Sequence, residues 1–165
     1  MGDISVRMGE LVASADPAAV LVSIGLGSCI GLALVDAGAG VAGLAHIMLP
    51  GPGDPDGRPP GTFADSGVPA LLHEVKALGA QRLSAVIVGG AQMFGAGGAS
   101  DAHVGARNED AVRAALRAAN IAVVAADTGG ASGRTIRVRV GDALVTARIA
   151  GGSEMALFGR MAVVA

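Results

Sequence analysis

Between Asp16 and Asp36 the chain runs for nineteen residues, Pro17 to Val35, without a charged side chain. That is close to the length a helix needs to span a bilayer. Such a run reads either as a lipid-facing helix or as strands buried in a protein core. Gly25, Gly27 and Gly31 interrupt it, Ser23 and Ser28 add hydroxyls, and Val and Ile recur along it. This composition suits buried strands around a tight turn better than a membrane helix. Buried strands need a core large enough to receive them. With 165 residues, 52% of them hydrophobic, the chain has the size and apolar mass of one domain, residues 1–165.

Hydrophobic patterning places the other elements around that run. Residues 4–15 and 20–25 read as short strands, and IGLALVD followed by VAGLAHIMLP reads as a hairpin around a small loop at 36–39. Five of the seven prolines and four glycines fall in the twelve residues from Pro50 to Gly61, which excludes both helix and central strand there. Val68, Leu71, Leu72, Val75 and Leu78 recur at helical spacing and predict a helix over 66–78. A fully apolar strand follows at 83–90, then a glycine-rich loop, then a second helix with Asn108 as its expected cap. A strand at 121–127 and a hairpin over 134–149 complete the pattern, with Thr135, Arg137 and Arg139 on a wet face. The expected fold is an α/β (α+β) sandwich: a mixed β-sheet core with two or three helices, in a single domain.

Charge and composition remove several function classes. Twelve Lys and Arg stand against fourteen Asp and Glu, a net charge of −2, so no cationic surplus exists to hold a phosphate backbone. Three Phe and no Trp or Tyr leave no stacking platform for single strands. Nucleic acid is not expected as a partner. One cysteine makes no internal disulfide, and no signal-peptide pattern opens the chain, so a cytoplasmic protein without membrane insertion is expected. Val6 occupies the place where a myristoylation signal carries Ser or Thr.

The chemistry concentrates on that cysteine. Cys29 lies in Gly25-Leu26-Gly27-Ser28-Cys29-Ile30-Gly31, directly after an apolar strand. A dinucleotide fingerprint would require glycine where Ile30 stands, and no Lys-Ser or Lys-Thr follows to make a phosphate loop. The segment fits loosely the sharp elbow that presents a nucleophile. If the hairpin turns between Ala37 and Gly38, Cys29 lies opposite His46 on one face, within reach for a thiol and an imidazole to share a proton. The N–H groups around Gly27, Ser28 and Cys29 would then face an oxyanion. The residues alone leave two readings open: an inert thiol beside a satisfied core histidine, or a catalytic pair. His73, beside Glu74 and Lys76 in the first helix, reads as solvated, His103 has no acidic orienter fixed by spacing, and no metal-ligand spacing exists, so neither metal nor cofactor is expected. Asp127-Thr128-Gly129-Gly130 is reminiscent of an aspartic protease loop, which would need a second copy to act.

Several segments together resemble a known family. Ser23-Ile-Gly-Leu-Gly-Ser-Cys29, Ala45-His46-Ile-Met-Leu-Pro50, Thr62-Phe-Ala-Asp65, Gly89-Gly-Ala-Gln-Met-Phe94, Gly105-Ala-Arg-Asn108 and Asp127-Thr-Gly-Gly130 occur in the order seen in the chemoreceptor glutamine deamidases, the CheD family. The resemblance covers roughly residues 5–155. It implies deamidation of specific glutamines of methyl-accepting chemotaxis receptors through a thioester, with Cys29 as nucleophile and His46 as its base. It further implies that the residue six places before the nucleophile orients the histidine. The family commonly has threonine there, and this chain has Ser23. The phosphatase CheC is an implied partner. The alternative is a non-catalytic chemotaxis adaptor that binds receptors or CheC. The Pro50–Gly61 and Gly89–Ser100 loops are the expected walls of a substrate groove.

Overall fold

A computed structural model describes residues 2–93 and 103–159. Ten strands form two five-stranded sheets. The first has the order β1 (Ile4–Ser5), β3 (Val20–Leu26), β8 (Arg134–Arg139), β9 (Leu144–Ile149) and β10 (Glu154–Phe158). The second has the order β2 (Leu11–Ser14), β5 (Val41–Ile47), β4 (Ile30–Asp36), β6 (Ser84–Gly89) and β7 (Ala122–Thr128). Two helices, α1 (Ala64–Ala77) and α2 (Val104–Ala118), complete the described elements. The mixed α+β sandwich expected from the patterning is the fold observed.

The layers follow from which side chains are apolar on both faces. Every residue of β4 and β5 is buried. One face of their sheet sends Ala33, Val35, Leu44, Val86 and Val88 against Leu21, Leu26, Ile136 and Val138 of the other sheet. The opposite face sends Leu32, Leu34, Ala45, Ile47 and Ile87 against Val68, Leu71 and Val75 of α1 and Val112 and Leu116 of α2. The order is therefore sheet, sheet, helices, and the uncharged run supplies strands to both sheets. Each fully buried Leu, Ile or Val contributes roughly 1.5–3 kcal/mol. No helix among the described residues is long and apolar enough to cross a membrane.

Several boundaries differ from the sequence reading. The expected first strand is two: β1 pairs in parallel with β3, whereas β2 pairs with β5 in the other sheet, and Gly9, at φ +79°, turns the chain between them. Helix α1 begins at Ala64, ahead of the expected 66, because the Ala64 N–H donates to the Leu49 carbonyl at 2.9 Å. Asn108 is no cap, since α2 starts at Val104 and carries Asn108 in its second turn. Strand β10 was not foreseen.

The hairpin register also departs from expectation. Asp36 pairs with Val41 across a four-residue loop, so the turn centres between Gly38 and Ala39, one position later than expected. Asp36 fixes this turn. Its carboxylate accepts N–H groups from Ala39 at 3.0 Å, Gln81 at 2.8 Å and Arg82 at 2.9 Å, and these bonds, those from Gln81 and Arg82 foremost, hold its pKa below the ordinary carboxylate range. His46 consequently lies opposite Gly31 rather than Cys29. The register on β4 is thus two places from the expected one, and Cys29 lies just outside the ladder, one residue before Ile30.

Candidate active site

The site forms where the chain crosses from one sheet to the other. Between Ser23 and Leu26 the pairing of β3 with β8 slips, and Gly25 takes φ +75°, a conformation that glycine adopts without a Cβ penalty. This bulge bends the strand. Leu26 then turns inward, and the next three residues, 27–29, carry the chain over to β4. Gly31 makes room for the crossing: a Cβ there would sit 2.8 Å from a Leu26 methyl and 3.0 Å from Ile136.

The crossing segment is held by its carbonyls. Ala91 N–H donates to Gly27 O at 2.8 Å, the Asn108 side-chain amide to Ser28 O at 2.9 Å, and Gly90 N–H to Cys29 O at 2.9 Å. In a planar trans peptide the N–H points opposite to the C=O. The N–H groups of Ser28 and Cys29 therefore face away from these anchors. Neither makes a hydrogen bond among the described residues. Met93 lies over the segment, 3.0 Å from where a Gly27 Cβ would be, and is half-exposed. Cys29 itself is partly exposed and packs at the margin of the inter-sheet core.

His46 is only 2% exposed. Its Nδ1 lies 3.4 Å from the carbonyl of Val6, and the Ser23 hydroxyl donates to that same oxygen at 2.6 Å. Ser23 and His46 thus meet through Val6 rather than directly. A carbonyl oxygen only accepts, so this arrangement places the hydrogen on Nδ1 and the lone pair on Nε2. Nε2 is buried and has no hydrogen-bond partner among the described residues. Burial pushes the Cys29 thiol up from its ordinary acidity. Burial likewise lowers the basicity of His46, against weaker opposing effects of Val6 and Glu10. Both shifts favour uncharged forms. They therefore disfavour a preformed thiolate–imidazolium ion pair.

The Asp-Thr-Gly-Gly segment is a buttress for this site. Arg134 lies on the inner face of β8, in phase with Ile136 and Val138, and is 6% exposed. It donates to Gly129 O at 2.7 Å and Gly89 O at 3.4 Å, and its Nε lies 3.3 Å from the Asp127 carboxylate. Gly129 N–H donates to Gly89 O at 3.0 Å, which links this cluster to the Gly90 and Ala91 amides that grip the 27–29 segment. A Cβ on Gly89 would collide with the Cys29 carbonyl.

Of the two expected groove walls, the first packs elsewhere than on Cys29: Pro59 lies against Gly9, and Arg58 stacks over Phe63 at 5.6 Å. The second runs beside the crossing segment through Met93, and residues 94–100 lie outside the described residues. Among the described residues no group of three His, Cys, Asp or Glu side chains could hold a metal ion. A concavity of about 620 Å³ lies on the outer face of the first sheet, where Arg137 pairs with Asp3 and Glu154. It does not include Cys29. Sequence reasoning missed Val6, Arg134 and the true use of Asn108. Arg134 alone left a signal, since alternation with Ile136 and Val138 puts it on the inner face.

Comparison with known proteins supplies the remaining observation. A family model described as CheD chemotactic sensory transduction matches residues 48–149. The probable chemoreceptor glutamine deamidase CheD 2 of Anaeromyxobacter dehalogenans is 41% identical over 151 residues, covering 88% of this chain and 94% of that protein. The probable chemoreceptor glutamine deamidase CheD of Methanococcus vannielii is 41% identical over 147 residues, with coverage of 88% and 94%. The chemoreceptor glutamine deamidase CheD of Thermotoga maritima is 38% identical over 151 residues, covering 90% of this chain and 93% of its own length. A match over 90% of the chain takes in positions 23, 29 and 46, whichever end it leaves out.

Proposed function

The chain belongs to the CheD family, and from that premise we propose that it deamidates specific glutamine side chains of methyl-accepting chemotaxis receptors, with Cys29 as nucleophile and His46 as general base. The observation that carries the assignment of roles is the buried Nε2 of His46, without a hydrogen-bond partner among the described residues. The partly exposed thiol of Cys29 packs at the margin of the inter-sheet core that includes Val6, whose carbonyl His46 meets. Nδ1 is committed to Val6 O, so Nε2 is the nitrogen free to accept a proton.

The reaction then runs as two acyl transfers. His46 Nε2 takes the thiol proton as Cys29 Sγ attacks the glutamine Cδ, and the carbonyl electron pair moves onto oxygen. The N–H groups of Ser28 and Cys29 receive that oxyanion, with the Met93 side chain lying over the segment at Gly27. Donors of this kind are worth about 3–4 kcal/mol each. Collapse breaks the C–N bond, and the imidazolium returns its proton to the departing ammonia. Water gives a proton to the same nitrogen, attacks the thioester and leaves glutamate, and the proton returns to sulfur. Ser23 shares the Val6 oxygen and so orients the imidazole through it.

Two measurements test the reading. Receptor cytoplasmic fragments incubated with the protein should gain glutamate at defined glutamines in peptide mass spectra. Binding without conversion would favour the adaptor reading, and turnover of free glutamine amides without receptor would favour a general amidase. Added CheC should slow receptor conversion if it is a partner that occupies the same face.

The charge state of the pair sets a pH prediction. A neutral pair means that iodoacetamide alkylation of Cys29 should climb only in the alkaline range, with an apparent pKa above the ordinary value of about 8.5. No thiolate shoulder should occur between roughly pH 5 and 7. Deamidation needs unprotonated His46, so its acid limb should fall below the ordinary histidine value of about 6.5. A shoulder at acidic pH that vanishes in His46→Ala would replace the neutral pair with a preformed ion pair.

A further inference from the structure

Asn108 is fully buried on α2, and its side-chain nitrogen donates to two carbonyls at once, Ser28 O at 2.9 Å and Met48 O at 3.0 Å. Both partners are acceptors only, which fixes the nitrogen as the end of the amide that faces them. Its Oδ1 is buried without a partner among the described residues. A buried acceptor left unpaired is costly, so what this side chain contributes here is its two donors. Their position is informative. The ladder between β4 and β5 ends at Ile30 opposite Ile47, and beyond it the strands part. Ser28 directly precedes the nucleophile, and Met48 lies two residues after His46. The carboxamide thus closes the gap where the next rung of the ladder would be.

We propose that Asn108 is a positioning residue that sets the spacing of Cys29 and His46 by clamping the two strand ends that carry them. This rests on the deamidase reading for its consequence in turnover, and on the thiol–imidazole pair alone for its consequence in reactivity. Small misplacements of reacting groups cost about 10²-fold in rate. Asn108→Ala should lower kcat for receptor deamidation by about that factor and leave KM within about two-fold, because the substrate-facing surface is unaltered. Asn108→Asp keeps the shape but turns a donor into an acceptor. At neutral pH it should be as impaired as Asn108→Ala. As the pH falls and the carboxyl takes a proton it regains one donor, so its activity should recover over an interval in which the wild type declines.

Alkylation kinetics test the clamp without any receptor. Because neutral His46 takes the thiol proton as the sulfur attacks, His46→Ala should slow Cys29 alkylation at pH 7 in the otherwise intact protein, and should change it less than about two-fold when Asn108 is already alanine, the signature of coupled sites. Urea midpoints taken in parallel separate positioning from simple loss of stability, and Asn108→Asp serves where Asn108→Ala does not fold. Additive effects of the two substitutions on alkylation, or a rise in KM with kcat unchanged, would overturn the proposal. Coupling in alkylation with no receptor conversion by the wild type would support the clamp while sinking the deamidase reading.

Discussion

Cys29→Ala is expected to reduce receptor deamidation by on the order of 10⁶-fold, as when the nucleophile of a hydrolase is removed. The fold should survive. Cys29 is only partly buried, at the margin of the inter-sheet core, so deleting its sulfur should cost about 1 kcal/mol or less. Receptor affinity should also persist, since the backbone of the crossing segment is held by its carbonyls and not by the thiol. Cys29→Ser should be nearly as inactive, because a neutral imidazole of lowered basicity is a poor base for a hydroxyl. Mass spectrometry of receptor fragments, with calorimetric binding of the same fragments, reads both halves. Residual conversion by Cys29→Ala near the wild-type rate would remove the thioester mechanism altogether.

The second large effect concerns stability. Arg134→Leu should destabilise the protein by about 2–4 kcal/mol, somewhat below the usual cost of breaking a fully buried pair, because Asp127 keeps partial contact with solvent. The loss has identifiable parts. Gly129 O loses its 2.7 Å donor, and the Asp127 carboxylate loses its guanidinium. For a chain of this size that corresponds to a fall in Tm of roughly 10 °C. Arg134→Lys should recover little, since one ammonium cannot reproduce the fork that meets two carbonyls and a carboxylate. The same variant should lower deamidation below its melting range, because Gly89, Gly90 and Ala91 connect this cluster to the Gly27 and Cys29 carbonyls. Urea unfolding followed by circular dichroism checks the first expectation. A midpoint unchanged by Arg134→Leu would mean that the 127–130 segment holds itself.

How legible these features were depends on the range of the interaction that fixes them. The helix at 64–77 and the strands at 84–89 and 122–128 were readable within a residue or two, because periodicity is local. The hairpin was readable but its register was not. The carboxylate of Asp36 bonds to Gln81 and Arg82, and those partners lie 45 and 46 residues away. Asn108 read as a cap because a polar residue before an apolar run has that local meaning. Its true partners are 80 and 60 residues distant. The aspartic-protease-like segment likewise took its meaning from Arg134.

The order of residues alone determined that the uncharged run forms buried strands, that one thiol sits in a glycine-lined crossing, and that a histidine follows on the neighbouring strand. Those conclusions rest on hydrophobic period and on glycine conformation, which act between near neighbours. Only the tertiary structure decided that His46 faces Gly31, that Ser23 reaches it through the Val6 carbonyl, and that an amide from α2 bridges the two strand ends. Backbone carbonyls carry no side-chain identity, so which donor each receives is set when distant segments pack, and no motif records it.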